Sequence, residues 1–317
     1  MELKNKKIIV TGGAGVIGRP LIKKLIGKGA LVRCFDIAPK PKDFPESAEY
    51  SQRDLSGLNP IEFTSFDPDV IFHLAATFER TEEDADFWEF NFVNNVVLSH
   101  KVVEAAKYCK GLKRFVFASS YLIYDPKTYL FENPAEPVKL SESGKIDTRN
   151  ICGAAKYYTE KELEFMDNFA EYSFSKISAR IFRVYGRNSR DFISRSIRVA
   201  INKQEIKTFL EENSFDYIFA DDVAEGLIKL SEVDIKKGVF NLGTGKAKKI
   251  KEVMQILKQH FPEIKITKSE DKGLYEENSA DMSGFEKATG WKPETDLEKG
   301  VEELIKYEIQ KQDKNRQ

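Results

Sequence analysis

In the stretch "RNICGAAKYYTEKELE", Arg149 to Glu164, Lys156 follows Cys152 by four residues, which sets a thiol and an amine on one face of a helix. An unperturbed thiol loses its proton near pH ~8.5, and an ammonium beside it lowers that value further. Upstream, "RFVFASSYLIYD" places Ser119, Ser120 and Tyr121 at the end of an apolar run that reads as a buried strand. A hydroxyl donor, a proton acceptor and a cation held together can move a proton to or from an alcohol. That chemistry requires the strand end and the helix start to lie side by side.

The first half of the chain supplies such a frame. "KIIVTGG", "ALVRCFD", "DVIFHLAA", "RFVFASS" and "SKISARIFRVYG" read as strands, with "GRPLIKKLIGKG" and "VVLSHKVVEAAKYC" as helices between them. Strand–helix alternation at this spacing predicts an α/β protein with a doubly wound parallel sheet, and nearly continuous apolar strands fit a sheet covered on both faces. After Gly186 the rhythm changes. "FDYIFADDVAEGLIKL" and "GVFNLGTG" read as returns to the sheet, and helix-rich segments follow from Lys246. We therefore expect a Rossmann domain over 1–184 and 217–245, with a smaller substrate lobe over 185–216 and 246–317.

"VTGGAGVIG" joins the first strand to the first helix. Gly12 permits a tight turn, Gly15 lets backbone approach a pyrophosphate, and Gly18 lets the helix pack close to the sheet. The N–H groups of Val16, Ile17 and Gly18 would face the phosphates. Asp36, 18 residues after Gly18, ends the second strand, where a carboxylate can bind ribose hydroxyls and repel a 2′-phosphate. NAD is therefore expected over NADP, although Arg33 and Lys40 lie nearby.

Glycines spaced three apart, with these later landmarks, resemble the extended short-chain dehydrogenase/reductases, the group that includes the NAD-dependent epimerases and dehydratases of nucleotide sugars. "RDL" is similar to that family's adenine contact through Asp54 and Leu55. "HLAA" is similar to the strand end beside the cofactor, with Leu74, Ala75 and Ala76. "NVVLSHKVVEAA" from Asn95, "YIFADDVAEG", "FNLGTG" and "ADMSGFEKATGWKP" resemble further landmarks across nearly the whole chain. The resemblance implies hydride transfer at a secondary alcohol of a sugar derivative, a nucleotide sugar foremost, by an epimerase or dehydrogenase. Ser120 would hold the reacting oxygen, and Lys156 would bind the nicotinamide ribose and tune the base. It also implies a homodimer through the helices containing "VVLSHKVVEAAKYC" and "GAAKYYTEKELEFM".

The family's base is a tyrosine, and its position is held here by Cys152. Three arrangements fit. Cys152 acts as the base with a water filling the gap to the substrate, Tyr121 swings in, or the redox site is lost and the chain is a non-catalytic NAD-binding regulator or scaffold. The arginines that commonly clamp a substrate diphosphate are also missing, with Phe215 at one position and Asp271 at the other, next to Lys272. Arg183, Arg187 and Arg190 offer a basic cluster instead. The acidic and aromatic "TFERTEEDADFWEF" takes the place of a loop that approaches the sugar. Tyr121 and Leu122 stand where glucose-type 4,6-dehydratases carry an Asp-Glu pair, which disfavours that elimination.

Composition narrows the partners. Fifty basic against fifty-one acidic residues leave a net charge of -1, with no broad basic field for nucleic acid or anionic lipid. No apolar run approaches the ~20 residues that span a bilayer, and no leader-like segment precedes "IIVTGG". Cys34, Cys109 and Cys152 form no paired framework, which points to a reducing cytoplasmic setting. His73, His100 and His260 are scattered, so no metal site is expected.

Overall fold

The computed structural model describes residues 1–78, 85–169, 172–270 and 273–316. Seven parallel strands form one sheet: β1 (Lys7–Thr11), β2 (Leu31–Asp36), β3 (Glu49–Gln52), β4 (Val70–His73), β5 (Arg114–Ser120), β6 (Ser175–Ile181) and β7 (Lys237–Leu242). Their order is β7-β6-β5-β4-β1-β2-β3. The order reverses between β1 and β4, and ligands of doubly wound folds bind in the crevice at that switch point.

Alternation along β5 explains why its sequence is almost wholly apolar. Val116 and Ala118 enter one core with Leu21, Leu25 and Leu227, while Phe115 and Phe117 enter another with Val102 and Leu163. Helix α1 (Gly18–Gly27) covers the first face, and helices α2 (Leu98–Lys107) and α3 (Ile151–Phe165) cover the second. Each such buried Leu or Phe contributes about 1.5–3 kcal/mol from burial. A third core, with Ile193, Ile197, Phe219, Val253, Leu257 and Val301, is assembled from residues 185–219 and 250–305.

Four details depart from the sequence reading. The polar strand β3, "EYSQ", joins the sheet edge, where no alternating apolar pattern is required to bury it. "SKISARIFRVYG" forms two strands, because the chain breaks at Phe182 and Arg183–Tyr185 leaves the main sheet. Tyr217–Phe219 pairs with that segment in a separate parallel pair, so only β7 returns to the main sheet. The helix-rich tail also contains the strands Ile266–Lys268, Tyr275–Glu276 and Asn278–Ala280, which pair with residues 206–208, 130–131 and 138–140. Two- and three-residue strands carry too little periodicity to be read.

Candidate active site

The loop after β1 is a backbone surface with no room for side chains. Gly12 has a φ of 72°, and a Cβ there would lie 2.7 Å from the Ala75 nitrogen. A Cβ on Gly18 would lie 2.3 Å from the Gly12 oxygen. Helix α1 therefore begins flush against the turn, as pyrophosphate binding at a helix start requires. Thr11 Oγ1 fixes the opposite wall by accepting the Leu74 and Ala75 N–H groups, each at 3.2 Å, and the next residue, Ala76, is exposed. The Asp36 carboxylate is pinned at the rim, accepting from Ala14 N at 2.8 Å and Ala38 N at 2.9 Å. Asp54 caps the turn Leu55–Gly57 through Ser56 N, and Leu55 is buried. Arg33 is occupied by Glu49, at 2.6 Å, and lies over the Phe66 ring. This cradle fits NAD: Gly12, Gly15, Val16, Ile17 and Gly18 would hold the phosphates and Asp36 the ribose.

We expect Gly12→Ala to weaken NAD binding by about tenfold or more, because a left-handed backbone alone costs a side chain about 1–2 kcal/mol. Gly27→Ala, whose Cβ meets nothing within 4 Å, is the control for titration calorimetry. Equal affinities in the two variants would refute this reading of the loop.

Next to the cradle, Ser120 ends β5 and the chain bends at once into the turn Tyr121–Ile123. Its hydroxyl accepts from Leu122 N at 3.2 Å, which leaves its own proton to be donated. Ser119, one residue earlier, faces the other way and donates to Glu160 at 2.6 Å. Helix α3 is drawn onto this strand end at two points. The Arg149 N–H donates to the Leu122 carbonyl at 2.9 Å. Gly153 presses so closely on that carbonyl that a Cβ would lie 2.4 Å away. Asn150 caps the helix by accepting from Gly153 N.

Cys152, 4% exposed, and Lys156 thereby come to the end of β5. Lys156 Nζ donates to the Ala118 carbonyl at 2.8 Å and lies 4.9 Å above the Phe117 ring. Burial lowers the Lys156 pKa to about 8, with the charge of Cys152 acting in the opposite direction. His73 stacks on the same Phe117 ring and bonds Thr11 at 2.7 Å and Ser99 at 3.0 Å. Burial first, then Lys156, drives its pKa well down, so it is a neutral strut between the strand ends. Asn95, in the π-helical turn Phe92–Val97, holds Thr77 through both backbone groups and donates to Asn91. Such turns recur beside functional sites.

Tyr121 does not turn toward Cys152. It is 5% exposed, stacks on Phe182 and donates to Glu276 Oε1 at 2.9 Å. Burial, and less so the Glu276 charge, raises its pKa, although Arg183 and Arg149 oppose the shift, so the phenol stays protonated. The Tyr121 alternative for the base is corrected on this ground. Glu276 Oε2 accepts from Arg183 at 2.9 Å and from Arg149. Burial alone would raise the Glu276 carboxyl, but the two guanidiniums outweigh it and hold it below its ordinary value. Arg183 also stacks 3.9 Å over Phe215, the side chain that stands where a clamp arginine was looked for.

Of the other two arginines of the expected cluster, Arg187 is engaged elsewhere. Arg187 pairs with Asp221 and Glu303 over Phe219, where it packs α-helices together, and Arg190 is exposed. On this ground Arg187 is corrected as part of one basic cluster with Arg183. Asp271, Lys272 and residues 79–84 of "TFERTEEDADFWEF" lie outside the described residues. Sequence reading missed Arg149, Glu160, His73 and Glu276, which only the folded chain brings together.

A description of the NAD dependent epimerase/dehydratase family matches residues 8–243. The chain belongs to that family. The epimerase/dehydratase fold extends beyond the matched segment. A UDP-N-acetylglucosamine 4-epimerase from Methanobrevibacter ruminantium, solved in complex with UDP-N-acetylmuramic acid, superposes with a TM-score of 0.84 at 26% identity, covering 97% of this chain and 99% of that one. MoeE5, solved in complex with UDP-glucuronic acid and NAD, gives a TM-score of 0.84 at 25% identity over 96% and 99% of the chains. The dTDP-4-dehydro-6-deoxyglucose reductase of Escherichia coli is 26% identical, over 96% of this chain and 98% of that protein. Family membership makes this an NAD-dependent enzyme. Among the described residues no helix is long and apolar enough to cross a membrane.

Proposed function

We propose that this epimerase/dehydratase family member carries out hydride chemistry at a secondary alcohol of a nucleotide sugar, as an epimerase or dehydrogenase, with Cys152 at the base position. The observation that carries the reading is the docking of α3 onto the end of β5, through Gly153 and Lys156, beside a glycine cradle. Relatives named for dTDP- and UDP-sugars support the substrate class. Bound NAD supplies the hydride acceptor or donor. Ser120 donates its hydroxyl proton to the reacting oxygen. Cys152 takes the alcohol proton through a water, since a thiol falls short of a phenol's reach. Lys156 stabilises the thiolate that accepts this proton, and the step leaves Cys152 as a neutral thiol. A homodimer through α2 and α3 belongs to the same reading, supported by exposed Tyr158 and Phe165 on α3.

The test incubates enzyme and NAD in heavy water with UDP-, GDP-, dTDP- and CDP-sugars, read by mass spectrometry. Loss of two hydrogens marks a dehydrogenase, and an unlabelled isomer marks epimerisation by returned hydride. Cys152→Ala should cut the turnover by about 10²-fold or more. Wild-type rates in that variant would remove the thiol from the mechanism, and no turnover of any sugar would sink the substrate class.

A further inference from the structure

We propose that Arg149 and Arg183 form a two-guanidinium seat for an anionic group of the substrate, built over the buried Glu276 carboxylate. Arg149 enters from the start of α3, Arg183 from the strand after β6, and Glu276 from Tyr275–Glu276 in the last third of the chain. The cluster adjoins the turn after Ser120, because Tyr121 is one of its members. Its place is therefore the substrate side of the proposed reaction, and the proposal rests on that reading.

Charge and hydrogen bonding both leave a demand. Two guanidiniums face one carboxylate, so the cluster carries one unbalanced positive charge. Glu276 is saturated: Oε2 accepts from both arginines, and Oε1 accepts from Tyr121 and from Asn278 Nδ2 at 2.9 Å. With its side chain 3% exposed, it is a fixed part of the floor. The arginine side chains are 29% and 38% exposed, so both present an outer edge. A guanidinium has five donors, and each arginine gives only one nitrogen to Glu276. Arg183 Nε is buried and has no acceptor among the described residues. Stacking on Phe215 fixes the plane of Arg183, which prepares the fork geometry that suits a carboxylate or a phosphate. A neutral sugar hydroxyl would leave the charge unbalanced, whereas an anion completes it.

One anion chemistry has two sources in a nucleotide sugar, the diphosphate or an acidic substituent on the sugar. Titration calorimetry on NAD-loaded enzyme with inorganic pyrophosphate, UDP, UDP-glucose and UDP-glucuronate separates them. Arg149→Gln and Arg183→Gln should each weaken binding by about 10- to 100-fold, as expected for losing charged hydrogen bonds. Arg195→Gln, on the exposed face of its helix, is the charge-matched control. Loss confined to UDP-glucuronate assigns the seat to a sugar acid, and equal loss on all four probes assigns it to the diphosphate. Pyrophosphate binding that needs both arginines, without any nucleotide binding, would keep the seat and refute the nucleotide-sugar reading. Unchanged affinities in both variants overturn the seat, as does a wild type that binds none of the probes. If either variant fails to fold, the Lys replacements retain the charge toward Glu276 but lose the fork, and they should show the same selective weakening.

Discussion

Lys156→Met is expected to lower turnover by about 10²- to 10⁴-fold, the span of a lost acid–base partner. Methionine keeps the length and the apolar stem but removes the charge. What it removes is specific to this site, since the ammonium is tied to the Ala118 carbonyl and set against Phe117, close enough to Cys152 for the two charges to interact. With a pKa lowered to about 8, the ammonium disappears as pH rises through that value. The pH profile of kcat/KM should accordingly fall on the alkaline side near pH 8. In Lys156→Arg that limb should move upward, because a guanidinium stays charged. Stability responds in the same window. The folded pKa is about 8 and the ordinary value 10.5, so the unfolded chain binds more protons between them. Wild-type stability should rise across that interval relative to Lys156→Met, and the burial penalty of the charged form is fully present below it. A kcat/KM profile identical in the wild type and Lys156→Arg would show that another group sets the limb.

Glu160→Ala should cost about 3–5 kcal/mol of stability, the usual effect of stripping one partner from a buried ion pair. Glu160 and Arg180 have side chains only 5% and 6% exposed and meet through two bonds, at 2.8 and 3.1 Å. Without the carboxylate, Arg180 would keep the Glu142 carbonyl at 3.2 Å and its contact with Tyr124. Ser119 would lose its acceptor at the same time. Glu160→Gln retains an acceptor for Ser119 and should lose less. Denaturant unfolding of the two variants settles the matter, and a loss below about 1 kcal/mol in Glu160→Ala would mean that the pair is not a keystone between β5, β6 and α3.

Much of the frame is legible in the sequence because its signals are local. The turn at Gly12, the carboxylate at Asp36 and the four-residue step from Cys152 to Lys156 lie in short stretches whose geometry follows from the residues themselves. Ser119 and Ser120 are adjacent residues of one type, and strand alternation separates them by turning Ser119 toward Glu160. The Glu276 cluster could not be read. Its members lie up to 155 residues apart in sequence, and Glu276 belongs to a two-residue strand inside a stretch that looked helical. Arg187 shows the converse error. Proximity in sequence to Arg183 suggested a shared task, but a strand and a turn carry it to Asp221 and Glu303.

The third core has a consequence for how such a protein can change. It is drawn from residues 185–219 and 250–305, and between these the chain goes back to lay β7 along β6. No single cut separates a dinucleotide half from a substrate half, because excising the later residues removes either an edge strand or half of a core. An exchange of the smaller part between relatives would have to replace two separate segments at once. If the seat proposed above binds substrate, substitution at positions 149, 183 and 276 could change specificity without disturbing that shared core.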